Sequence, residues 1–117
     1  MKIEFYDPVC ADCIVRSISK ALDKDTIDIE NELMMIKEKY QQEKVFEKYL
    51  LRNSFEIVNT YNGKQLFDTN LIGTNIVYAK DKNWYHMMCV IDNTIFDNHT
   101  KEELDNMQII KVYKYRS

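Results

Sequence analysis

The sequence predicts an α+β fold in which N-terminal helices pack against a C-terminal antiparallel β-sheet. Three observations carry this expectation. Between about residues 12 and 52, apolar residues recur every three or four positions, the period of a helix with one buried face. From Phe55 onward the period falls to two, the alternation of a half-buried strand. Two glycines and one proline in 117 residues leave little room for a linker, so both halves belong to a single domain spanning 1–117. A chain of this length buries roughly two-thirds of its unfolded surface without disulfide staples.

Taken in order, residues 2–6 form a short strand with Ile3 and Phe5 on one side, ended by Asp7-Pro8. Asp12 is the N-cap of the first helix, because an acceptor side chain there satisfies an orphan amide of the first turn. Ile14, Ile18, Ala21 and Leu22 make the buried stripe, leaving Arg16, Ser17 and Lys20 toward water. Asp25, with Asp28 three residues on, opens a second helix carried by Ile29, Leu33, Ile36 and Tyr40. Met34 and Met35 are assigned to irregular gaps in the core. A third helix over 42–52 uses Val45, Phe46, Tyr49 and Leu50, with Asn53 as its left-handed stop.

In the second half, Phe55 and Ile57 alternate with Glu56 and Val58, and Tyr61-Asn62-Gly63-Lys64 is a turn. Residues 66–73 read as a loop near the cleft. Strands follow at 76–79 and 84–91, and Asp92-Asn93 turns the chain into a return strand Thr94–Asp97. Thr100 and Glu103 make a capping box for one helical turn, and a last strand over 109–115 closes a sheet of about four to six strands.

Chemistry concentrates at Cys13, His86 and Asp97. As the first helical residue, Cys13 faces unpaired amides and the positive end of the helix dipole, which favour a thiolate. If Ile91 pairs with Thr94, Met88 lies opposite Asp97, and alternation puts His86 and Asp97 on one face as diagonal neighbours. An imidazole that takes the thiol proton and a carboxylate that fixes its tautomer are what a cysteine nucleophile needs.

A cysteine opening a helix, then a histidine on a strand, then an acidic residue on the next strand, resembles the papain-like cysteine peptidases. The nearest likeness is to small C39-like peptidases and the compact papain-like proteins of bacteria and their phages. It rests on Asp12-Cys13 with its apolar helix, on Gly73-Thr74-Asn75-Ile76-Val77-Tyr78, and on the run from His86 to Asp97, about three-quarters of the chain. The resemblance implies a papain-like domain and a small cysteine peptidase or amide hydrolase acting on a protein or peptide substrate. In it Cys13 is the nucleophile, His86 the base and then acid, and Asp97 the orienting residue, with no cofactor and no metal. It also admits acyl transfer in the manner of transglutaminases, or a non-catalytic papain-like binding protein such as a phage-encoded inhibitor of a host system. Such peptidases carry a glutamine or asparagine before the cysteine to bind the oxyanion. Here only Asp7 stands near that place, and an ionised carboxylate cannot donate.

Other uses of these residues fit the sequence less well. Cys10, Cys13, His86 and Cys89 have a zinc-like spacing, but residues 86 and 89 on one strand point to opposite faces. Cys10 and Cys13 lack the βαβ setting of a redox pair, Cys89 reads as core, and Asp92 belongs to the turn. His99 reads as a solvated alternative to His86, and Trp84 and the tyrosines as core aromatics. A net charge of −3 with interleaved signs argues against a nucleic-acid surface. No run reaches membrane-spanning length, and three cysteines fit a reducing compartment, so the expected location is cytoplasmic.

Overall fold

The computed structural model describes residues 1–9, 11–82 and 84–116. Its elements in chain order are β1 (Lys2–Phe5), α1 (Cys13–Leu22), α2 (Thr26–Ile36), α3 (Glu43–Arg52), β2 (Phe55–Val58), a 3₁₀ turn (Leu66–Asp68), β3 (Thr74–Lys80), β4 (Tyr85–Ile91), β5 (Thr94–Asp97), α4 (Lys101–Leu104) and β6 (Gln108–Tyr115). The class is α+β. Among the described residues no helix is long and apolar enough to cross a membrane.

One sheet of six strands runs in the order β1-β5-β4-β3-β6-β2. It is mixed, which corrects the expected antiparallel sheet: the N-terminal strand crosses to the far edge and pairs parallel with β5, Ile3 opposite Ile95. That pairing joins residues at opposite ends of the sequence, so no local period announces it. Every other pairing is antiparallel.

The period of two is what layers the molecule. Ile76, Met87, Cys89 and Tyr113 face α1, α2 and α3, where Ile18, Leu33, Phe46 and Leu50 complete one core. Val77, Met88, Val90 and Val112 face the other way, under Leu66, Leu71, Leu104 and Met107. The β4–β5 turn is built from two left-handed residues, Asp92 at φ 46 and Asn93 at φ 64, whose short polar side chains tolerate that conformation. It fixes Ile91 opposite Thr94.

Four local assignments change. Arg16 and Ser17 are buried, not solvated. Met35 is 86 % exposed and Met34 is 45 % exposed, so neither fills the core. Helix α2 ends at Ile36, leaving Tyr40 in the following loop. Asn53 keeps a negative φ, and the left-handed residue after α3 is Ser54 at φ 69.

Helix α3 is tied to β6 through Glu47, whose Oε2 accepts from the Tyr113 hydroxyl at 2.6 Å and the Lys111 ammonium at 2.9 Å. Burial alone would raise the Glu47 carboxyl, but these two donors hold it below its ordinary 4.5. A carboxyl lowered by folding stabilises the native state above its unfolded pKa, and that contribution is lost as pH falls through the folded value. Thermal midpoints between about pH 3 and 6 should therefore fall less steeply with acid for Glu47→Gln than for the wild type. Parallel curves would show the pair to be solvated and inconsequential.

Candidate active site

Helix α1 is fastened at its first turn. Asp12 is extended, with φ −77 and ψ 177, and its Oδ1 accepts the Val15 amide at 2.9 Å. Its Oδ2 accepts the Tyr40 hydroxyl at 2.6 Å, so the loop after α2 holds the cap. Cys13 follows as the first helical residue, half-buried.

What α1 packs against is a gap in the sheet. Pairing between β4 and β5 runs from Ile91 opposite Thr94 to Cys89 opposite Phe96, and there it stops. The exposed peptide edge of Met87 is taken by the helix instead. Ser17 Oγ donates to the Met87 carbonyl at 3.0 Å, and the Met87 amide faces the Cys13 sulfur closely enough to favour its thiolate. The thiol therefore meets the strand one residue from His86.

His86 and Asp97 meet across the same gap. His86 Nε2 lies 2.9 Å from Asp97 Oδ2, and His99 Nδ1 lies 3.0 Å from that same oxygen. Arg16, one turn after Cys13, holds the other oxygen with its NH2 group at 3.0 Å from Oδ1. Asp97 is fully buried, and His86 and Arg16 nearly so. The Trp84 ring leans on both imidazoles, with centroids 4.6 Å from His86 and 4.9 Å from His99. Trp84 is itself fixed by its indole N–H donating to Asp81 Oδ2 at 3.1 Å.

Charge states follow from these partners. Burial would raise the Asp97 carboxyl, but the hydrogen bond and charge of His86, the Arg16 guanidinium and the His99 hydrogen bond together hold it below 3.8. An ionised carboxylate only accepts, so the two ring nitrogens facing it carry their protons. His86 is then protonated on Nε2, and Nδ1 keeps the basic lone pair. Burial lowers the His86 pKa below 6.5, and its carboxylate partner recovers only part of that fall. Cys13 is raised above 9.0: burial outweighs the Met87 amide, and the neighbouring Asp12 charge adds to it. This reverses the expected thiolate bias of the helix terminus, and at neutral pH the resting state is thiol plus neutral imidazole.

The structure joins His86 to Asp97 directly but does not bring Cys13 to His86. Cys13 packs with the Met87–Cys89 face of β4, whereas His86 shares its parity with Met88 and Val90 on the opposite face, and Arg16 alone reaches from the helix of Cys13 to Asp97. Cys10 lies outside the described residues, and Cys89 faces the helical core on the side of the sheet away from His86's carboxylate partner. Asp7 accepts from Asn98 Nδ2 at 3.2 Å and lies 4.0 Å from Arg16 NH1. Asp92 accepts the Gly73 amide at 2.9 Å, a loop contact. Two members of the network were assigned to solvent from sequence. Arg16 sits three residues after Cys13, the spacing that puts side chains on one helix face, and His99 two after Asp97. Among the described residues the donor atoms of His86, Asp97 and His99 form a group that could hold a metal ion, all within 4.8 Å of one another. No family model, curated protein or solved structure matches the chain.

Proposed function

We propose that the chain is a papain-like cysteine hydrolase acting on an amide, ester or peptide carbonyl. The reading rests on the Met87 peptide group, which lies against the Cys13 sulfur and is next along β4 to His86, the partner of Asp97. In the first step, which requires the Cys13 sulfur and His86 Nδ1 to meet through the gap beside Met87, the S–H proton passes to Nδ1 as sulfur attacks the carbonyl carbon. Asp97 accepts from Nε2–H and stabilises the imidazolium, while Arg16 keeps Asp97 ionised and in place. The oxyanion is met by the Cys13 backbone N–H, which lies in the helix turn where amides have no intrahelical acceptor. His86 then protonates the leaving group, and a water activated by the same Nδ1 releases the acyl group from the thioester. An amine in place of water would give acyl transfer by the same intermediate. A non-catalytic papain-like binding protein is the second reading, favoured by the raised thiol and by Asp7 where an amide donor is usual.

The test is a burst assay with p-nitrophenyl acetate in metal-free buffer. The expected result is one p-nitrophenol released rapidly per chain, with acetyl found on Cys13 by mass spectrometry and absent from Cys13→Ala. The acylation rate should climb with pH through a value below 6.5, since the base must be neutral to act. Asp97, His99 and Arg16 are the charged or titratable neighbours that set that value. Acetylation confined to lysines, with Cys13 unmodified, would leave the binding-protein reading standing.

A further inference from the structure

We propose that His86, Asp97 and His99 form a binding site for a zinc-class divalent ion, and that its occupancy switches the hydrolase off. The second half rests on the hydrolase reading, and the first does not. Two imidazoles and a carboxylate are ligands suited to Zn²⁺, Co²⁺ and Ni²⁺, and an incomplete tetrahedral set of three leaves a position for water. Both ring nitrogens already converge on one oxygen, at 2.9 Å and 3.0 Å. An ion about 2.0–2.1 Å from each donor would hold them about 3.3 Å apart, so each nitrogen need withdraw from the Asp97 oxygen by only a few tenths of an ångström, and the two nitrogens already lie within 4.8 Å of one another.

The surroundings resemble those of a ligand set. Arg16 holds Asp97 Oδ1 and leaves Oδ2 to coordinate, the arrangement by which an outer partner orients a ligating carboxylate. Trp84 covers both rings and limits their rotation. Access comes past His99, whose side chain is 27 % exposed. His99 borders a cavity of about 500 Å³ lined with Met1, Ile3, Phe5 and Thr100. The Arg16 charge opposes a cation, which places the affinity well below that of structural zinc sites with several thiolates.

Inhibition follows from proton placement. Coordination at His86 Nε2 needs a lone pair on that nitrogen, so its proton moves to Nδ1. The imidazole stays neutral and no net proton is released, but the lone pair that would accept the Cys13 proton is gone. His99 likewise moves its proton from Nδ1 to Nε2.

Trp84 is the single tryptophan of the chain and lies against both ligands, so its fluorescence reports the site. The experiment titrates the folded protein with CoCl2, reading Trp84 quenching and visible cobalt bands, and then displaces cobalt with ZnCl2. The expected result is one ion per chain, unchanged in Cys13→Ser and weakened at least tenfold in His99→Ala and His99→Gln. The glutamine variant keeps an N–H for Asp97, and circular dichroism checks each fold. Zinc should slow the ester burst of the wild type and EDTA should restore it, each variant being read as its rate with zinc over its rate without. Equal binding by wild type and both His99 variants, no saturable cobalt signal, or a thiolate charge-transfer band would overturn the site. Binding that leaves the burst rate unchanged would overturn the inhibition. A protein with no burst at all would refute the hydrolase reading, while the cobalt titration still decides the site.

Discussion

Asp97→Ala should lower stability by about 3–5 kcal/mol, a drop of roughly 10–20 °C in thermal midpoint for a chain of this size. The carboxylate has no exposure and accepts from Arg16, His86 and His99 at once. Its loss leaves a guanidinium that is only 4 % exposed with the half-exposed Asp7 at 4.0 Å as its remaining carboxylate, and a buried charge so poorly paired is among the most destabilising lesions a fold can carry. Whole domains have about 5–15 kcal/mol to lose. The pairing itself is a different quantity. Arg16→Met added to Asp97→Ala removes the stranded charge and should recover most of the loss, because replacing both partners of a buried pair by apolar groups is often close to neutral. Urea unfolding of the two singles and the double would close the cycle. A loss under about 1 kcal/mol for Asp97→Ala would mean that water reaches Arg16 in the native state.

His86→Ala should slow acylation of Cys13 by roughly a hundredfold to ten-thousandfold, the usual contribution of a positioned general base. Because the Cys13 thiol is held protonated by burial, it depends on a base to deliver the nucleophile. The small residue leaves a hole beside Trp84, and added imidazole should fill it and restore part of the burst. The same imidazole should do nothing for Cys13→Ala. Rescue failing together with a loss smaller than about tenfold would show that His86 holds Asp97 for structural reasons and does not touch the thiol's proton.

Much of the local design was legible. Asp12 as N-cap with Cys13 first in the helix, the Thr100–Glu103 capping box, and Ile91 opposite Thr94 all follow from signals within a few residues. From that register alone, His86 and Asp97 could be placed on one face. What escaped depends on partners far along the chain. Arg16 looks like a solvated residue until Asp97, eighty-one residues later, is brought beneath it. Strand β1 carries no mark of its parallel partner β5. Met35 has the composition of a core residue and the position of a surface one, because α2 turns only Ile29 and Leu33 fully inward. His99 lies beyond the strand end, where sequence patterns treat a histidine as solvent.

The splitting of β4 from β5 has a consequence for how this sequence can drift. What α1 recognises at position 87 is a peptide group, with Ser17 on its carbonyl and Cys13 on its amide. Every residue type carries that carbonyl, and every type but proline carries that amide. The methionine side chain points elsewhere, into the core beside Cys89. Leucine or isoleucine of similar volume can therefore replace it at a modest packing loss, leaving the peptide group beside the Cys13 sulfur untouched. Proline alone would remove the amide that favours the Cys13 thiolate. Variation at this position should look like that of an ordinary core residue, with a single letter forbidden, although its backbone is what the Cys13 sulfur faces.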